Sequence, residues 1–130
     1  MLDTNMASYI VRGANAGVMN RLDKVPPEQL CVSAITQGEL LYGLARKPGA
    51  TALQNVVRAF LMRVEVLPWG SPAATRYGLL RAELNAAGKP LGNNDMLIAA
   101  HALAESAVLV SNDLAFGRVP GLALENWAPG

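Results

Sequence analysis

Four carboxylates stand at the edges of apolar runs in this chain. They are Asp3 in Met-Leu-Asp-Thr-Asn, Glu39 in Thr-Gln-Gly-Glu-Leu-Leu, Asp95 in Asn-Asn-Asp-Met-Leu-Ile-Ala-Ala, and Asp113 in Val-Leu-Val-Ser-Asn-Asp. An acid that faces water needs no apolar neighbours, and an acid taken out of water is costly unless something compensates it. If the four converge, mutual repulsion raises at least one pKa unless a cation intervenes. Mg²⁺ or Mn²⁺ suits that role, because hard cations take oxygen ligands. Such an ion activates water and stabilises charge on a phosphoryl oxygen, so a phosphodiester is the expected substrate. Each acid also has a plain structural reading. Asp3 can cap a helix, Glu39 can pair with Thr36 in a Thr-x-x-Glu capping box, Asp95 can be a first-turn acid, and Asp113 can be a loop acid. The joint pattern, in this order and on these elements, favours the shared site.

Other chemistries find less support. There is no Cys/His spacing of a zinc site, no phosphate-binding Gly-x-x-x-x-Gly-Lys and no Gly-x-Gly-x-x-Gly. Ser33 and Ser111 lack the context of a nucleophile elbow. The sole histidine, His101, follows Asp95 by six positions on one helix. It therefore points away from Asp95 and is expected to pack or cap.

The acids depend on the elements that carry them. Short apolar runs at Met1–Thr4, Leu30–Ser33, Val64–Leu67, Ala107–Ser111 and Leu122–Glu125 read as strands. Helical patterns cover Asn5–Val11, Ala16–Lys24, Thr36–Arg46, Ala52–Met62, Ser71–Ala87 and Asp95–Glu105. Gly13, Pro26-Pro27, Pro48-Gly49 and Gly88 punctuate them, with Ser71 and Asn93 or Asn94 as expected N-caps. Strands alternating with helices imply crossovers and a mainly parallel sheet, an α/β fold. Functional groups of such sheets collect outside the carboxyl ends of the strands. Asp3 and Asp113 fall at such ends, and Glu39 and Asp95 are expected in the first turns of the helices that follow.

With 130 residues, 52% of them hydrophobic and 16% charged, the chain suits one domain, 1–130, with a sizeable core. The net charge of +1 excludes a broad basic coating, so any nucleic-acid contact must be local. The single Cys31 forms no internal disulfide and is expected to pack in a strand. No signal-peptide pattern and no bilayer-length apolar run is present, so a cytoplasmic protein without membrane contact is expected.

The opening Leu-Asp-Thr-Asn, the segment Ser33–Gly43, the stretch Gly92–Ala104 followed by Val108–Asp113, and the ending Arg118–Trp127 resemble PIN-domain ribonucleases, nearest to the VapC-type toxins of bacterial toxin–antitoxin pairs. The resemblance covers essentially the whole chain. It implies a PIN-like three-layer α/β/α sandwich, Mg²⁺- or Mn²⁺-dependent endoribonuclease activity, inhibition by a cognate antitoxin protein, and a homodimer. By matching motif, Asp3, Glu39, Asp95 and Asp113 would be the catalytic, metal-binding acids. Thr4, Asn5, Ser111 and Asn112 would orient them or the substrate. RNA is the implied substrate, with initiator tRNA first among the choices. The run Asp-Leu-Ala-Phe after Ser111-Asn112 is a residue shorter than the family pattern, with Ala115 before Phe116, which leaves one metal or two open. A catalytically silent PIN-like module that binds RNA or protein is the alternative.

RNA also needs phosphate-binding cations. Arg12, Arg46, Lys47, Arg76, Arg81, Lys89 and Arg118 are candidates, each with a solvated or salt-bridged alternative. Trp69, Tyr77 and Trp127 can pack or stack on bases. The helices at Ala52–Met62 and Ser71–Ala87 carry more apolar surface than one sheet needs, which suits a dimer or a partner groove.

Overall fold

The computed structural model describes residues 1–128. Its helices are α1 (Thr4–Arg12), α2 (Ala16–Lys24), α3 (Ala34–Ala45), α4 (Thr51–Arg63), α5 (Ser71–Ala86) and α6 (Asn93–Ala104). The strands are short: β1 (Cys31–Ser33), β2 (Glu65–Leu67), β3 (Leu109–Val110) and β4 (Leu124–Glu125). β1 pairs in parallel with β2, and β3 in parallel with β4. Leu2 joins the two pairs, bridging Val32 on one side and Val110 on the other, again in parallel. The sheet therefore runs β2-β1-Leu2-β3-β4, all parallel.

Strand side chains alternate between the two faces. Met1, Cys31, Leu67 and Leu109 pack on the face covered by α5 and α6, with Leu80, Leu84, Met96, Ile98 and Phe116. Leu2, Val32, Val66 and Val110 pack on the opposite face against α1, α2 and α4, with Met6, Val18, Leu22 and Phe60. This gives the expected helix–sheet–helix sandwich. Leu2 is 1% exposed and bridges the two halves of the sheet, with Met1 and Asp3 adding backbone bonds to Val110. Leu2→Ala keeps those backbone bonds but leaves a hole in the core, and is expected to cost about 2–5 kcal/mol, read by urea unfolding; a loss below about 1 kcal/mol would contradict the packing of Leu2 in that core.

Several local expectations are corrected. Met1–Thr4 is not a strand of that length; Leu2 alone bridges, and Thr4 already begins α1. The cause is Asp3, whose Oδ1 accepts the Met6 N–H at 2.8 Å and so starts the helix at once. Ser71 does not cap α5: Gly70 holds that position and Ser71 is the first helical residue, with Pro72 next. Asn93 and Asn94 likewise lie inside α6, whose N-cap is Gly92. There is no Thr36–Glu39 capping box, because Ser33 caps α3, its Oγ accepting the Ile35 N–H at 3.1 Å. Glu39 consequently sits in the second turn of α3, where the helix dipole helps it less. Gly13 and Gly88 do end α1 and α5, at φ of 60° and 69°, a left-handed geometry that favours glycine. The indoles pack: Trp69 donates to the Leu97 carbonyl at 2.9 Å and meets Tyr77 edge-on, and Trp127 is buried.

Candidate active site

Because Leu2 and β3 are neighbours and parallel, the residues just past them emerge at the same edge of the sheet. Asp3 follows Leu2, and its N–H donates to the Val110 carbonyl at 3.0 Å. Ser111, Asn112 and Asp113 follow β3 directly. The first turn of α6 brings Asp95 to this edge. Asp3, Asp95 and Asp113 feel one another's charge. Asp3 is 3% exposed, Asp95 is half-buried and Asp113 is exposed.

Burial is the main cause raising the Asp3 pKa above 3.8; the Ser111 hydroxyl and the Met6 N–H pull it back, and repulsion from Asp95 and Asp113 raises it further. The Asp95 pKa is also raised, chiefly by burial and then by Asp113. Among the described residues no lysine or arginine pairs with any of these three acids. Asp113 is fixed at its own turn, its Oδ1 accepting the Ala115 N–H at 2.9 Å and its N–H donating to Ser111 Oγ at 3.0 Å.

Glu39 stands apart from that trio. Its Oε1 accepts from the Asn94 amide at 2.7 Å, which ties α3 to the residue beside Asp95. Thr4 shares a hydroxyl contact of 3.2 Å with the buried Thr36. The Asn112 amide donates to the Tyr9 hydroxyl at 3.2 Å. Asn5 is exposed and makes no side-chain hydrogen bond among the described residues. By its sequence setting Asn94 suits only a helix cap, and Thr36 only a capping-box partner. Their positions beside Asp95 and three residues before Glu39 are the signals that could have marked them as site residues.

An all-oxygen donor set with unbalanced negative charge suits a hard divalent cation. Among the described residues no three acid, histidine or cysteine side chains close to metal-holding distance. An ion at this edge would thus keep most of its waters and take one or two carboxylates directly, a mode of binding open to Mg²⁺. Asp3 and Asp95 lie on the buried side of the trio, with Asp113 on the open side.

His101 lies behind this edge, 1% exposed, with Nδ1 at 2.7 Å from Ser33 Oγ. Burial lowers its pKa, with Glu105 and the Pro68 carbonyl opposing. Its Nε2 has no hydrogen-bond partner, and Glu105 Oε1 is 3.9 Å away. It packs, as expected, and secures the Ser33 cap of α3. Ser33→Ala removes that cap and the Nδ1 partner of a buried ring. We expect a loss of about 2–3 kcal/mol by thermal or urea unfolding, where an ordinary exposed cap costs about 1.

A PIN-domain family model matches residues 1–122. The chain is 38% identical to "Ribonuclease VapC2" of Rickettsia felis over 129 residues, 98% of this chain and 96% of that protein. It is 35% identical to the "tRNA(fMet)-specific endonuclease VapC" of Shigella flexneri, covering 98% of this chain and 97% of that one. Among solved structures, VapBC2 of Rickettsia felis, bound to a DNA fragment from its promoter, superposes with a TM-score of 0.91 at 38% identity, covering 98% of this chain and 97% of that one.

Proposed function

The chain belongs to the PIN-domain family, and from that premise we propose that it is the endoribonuclease toxin of a toxin–antitoxin pair, hydrolysing RNA phosphodiesters with a divalent ion bound among Asp3, Asp95 and Asp113 through one or two of their carboxylates and retained waters. The observation that carries this reading is the trio itself: three acids at one sheet edge, two with raised pKa, and no lysine or arginine paired with them among the described residues. A fold does not keep such an arrangement for stability, because an unpaired buried acid weakens it.

When bound, Mg²⁺ or Mn²⁺ would lower the pKa of a water and stabilise charge on the phosphoryl oxygens. The protein's part is positioning. Asp3 is held by the Met6 N–H and the Ser111 hydroxyl. Asp113 is anchored by the Ala115 N–H and lies open to solvent, on the side from which a phosphodiester arrives. Burial and the Asp113 charge make Asp95 hold a proton more readily than an exposed acid does. Glu39, braced by Asn94, borders the site and orients ligand or water. Thr4, Ser111 and Asn112 support the acids and the backbone that carries them, and Asn5 faces the solvent side, where substrate would meet it.

The Shigella relative's name makes a tRNA, initiator tRNA first, the preferred substrate. The Rickettsia complex makes a cognate antitoxin the expected inhibitor. Leu79, 66% exposed on α5, and Leu41, 45% exposed on α3, suit a homodimer contact. No helix among the described residues is long and apolar enough to cross a membrane; action on cytoplasmic RNA is part of this reading. Incubating the purified chain with total tRNA and Mg²⁺, and mapping the new ends, is expected to give cleavage at one or a few tRNA sites. RNA bound but never cut under Mg²⁺ or Mn²⁺ would instead establish a silent RNA-binding PIN module.

A further inference from the structure

Beside the acidic edge, α1, α3 and α4 enclose a groove of about 530 Å³. Its two walls share one polarity. On α1, Thr4 lies at the acid end and Arg12 at the far end. On α3, Glu39 lies at the acid end and is followed on one helical stripe by Tyr42 and Arg46, with Lys47 just beyond. From Glu39 to Arg46 is about 10 Å along the helix axis. Among the described residues, Arg12, Arg46 and Lys47 have no carboxylate partner. The Arg46 guanidinium sits 5.0 Å from the centre of the Tyr42 ring, and Tyr42 is 59% exposed. The apolar floor is recessed: Leu44 is 9% and Val57 2% exposed. What the groove offers a ligand is thus a flat ring, a guanidinium plane and unpaired positive charge, leading to the acids.

We infer that this groove is the path of a single RNA strand, with the Tyr42–Arg46 pair as a nucleobase platform and Arg12 and Lys47 as phosphate contacts at the end away from the bond to be cut. The inference rests on the nuclease reading above and names how that site holds its substrate. Unpaired cations attract phosphates without reading sequence, and an aromatic face with a guanidinium against it stacks any base. A strand laid from Arg46 towards Glu39 is carried to Asp3 and Asp95 without crossing the apolar floor. Tyr42 and Arg46 are positioning residues; neither reaches the acids.

The test uses the Asp3→Asn chain in chelator, so that nothing is cut, and a short fluorescein-labelled single-stranded RNA read by anisotropy. Arg46→Ala is expected to weaken binding about tenfold and to lower the salt slope by about 1. Tyr42→Ala is expected to weaken it about tenfold with the slope unchanged, and Tyr42→Phe to restore it. Arg76→Ala, lining a separate cavity, serves as the control with no effect. Thermal unfolding of each variant confirms that it folds. Affinities all within twofold of the parent overturn the inference, as does a Tyr42→Phe variant as weak as Tyr42→Ala. It is also overturned if RNA binding is unchanged while Tyr42→Ala loses a co-expressed partner protein, which would make the groove a protein dock. The two readings separate cleanly. Cleavage by the wild-type chain with KM unaltered in the Tyr42 and Arg46 variants removes the groove alone. RNA held through the groove but never cut removes the nuclease alone.

Discussion

Asp3→Asn is expected to lower RNA cleavage by about 100-fold or more while leaving the metal-free chain at least as stable as the parent. The two effects have one origin. The Asp3 side chain does two jobs: it caps α1 through the Met6 N–H, and it places a buried negative charge beside Asp95 and Asp113. Asparagine keeps the first, since Asn and Asp are comparable N-caps. It removes the second, and with it a ligand worth several kcal/mol of charge stabilisation in the transition state, tenfold in rate for about each 1.4 kcal/mol. Asp3→Ala separates the jobs from the other side, losing both activity and about 1 kcal/mol of helix capping. Rates under single-turnover conditions, set beside urea midpoints, check both halves. An Asp3→Asn chain that unfolds markedly earlier than the parent would mean that Asp3 serves the fold rather than the chemistry.

Removing divalent ions has the second large effect: a chelator is expected to abolish cleavage, and Mg²⁺ or Mn²⁺ to restore it. The same ions should raise the unfolding temperature, because binding to the folded state alone stabilises it by mass action. The metal-free chain supplies an independent sign. Asp3 and Asp95 have folded pKa values raised above 3.8, so the folded state binds those protons more tightly than the unfolded chain does. Their contribution to stability is fully present below pH 3.8 and is lost as pH rises through the raised values. His101 runs the opposite way, since its pKa is lowered from 6.5 and protonation opposes folding as pH falls. Comparing the parent with Asp3→Asn isolates the acid part. The variant's advantage in chelator should grow as pH rises from about 4 towards neutrality and shrink when Mg²⁺ is added. An advantage that grew as pH fell would contradict a raised Asp3 pKa.

Much of this arrangement is legible in the chain itself. Alternating short apolar runs and helical patterns give the parallel α/β sandwich, and the setting of Asp3, Asp95 and Asp113 brings them to one edge. Ala16–Lys24 begins and ends where the pattern puts it, because Asn15 caps one end and Val25-Pro26-Pro27 stops the other. What the pattern misplaces is decided by competition at single residues. Met1–Thr4 shrinks to one bridging residue because Asp3 caps α1 at once. Ala107–Ser111 shrinks to Leu109–Val110, with Ser111 making one last bond to the Glu125 carbonyl before its hydroxyl accepts the Asp113 N–H and the chain turns. Glu39 lies deeper in α3 than its capping-box spacing suggested, because Ser33, tied to His101, wins the cap. The Glu39–Asn94 contact spans 55 positions, and no local pattern reports a contact of that range. The groove is illegible for the same reason: Arg12 and Arg46 share it only once α1 and α3 have packed.

The most direct measurement is cleavage of a defined RNA by purified wild type, Asp3→Asn and Asp95→Asn chains, with Mg²⁺ present and RNA binding measured in parallel. The acid trio predicts that both variants bind RNA as well as the wild type and cut it at least about 100-fold more slowly. Equal cleavage by all three chains would contradict it.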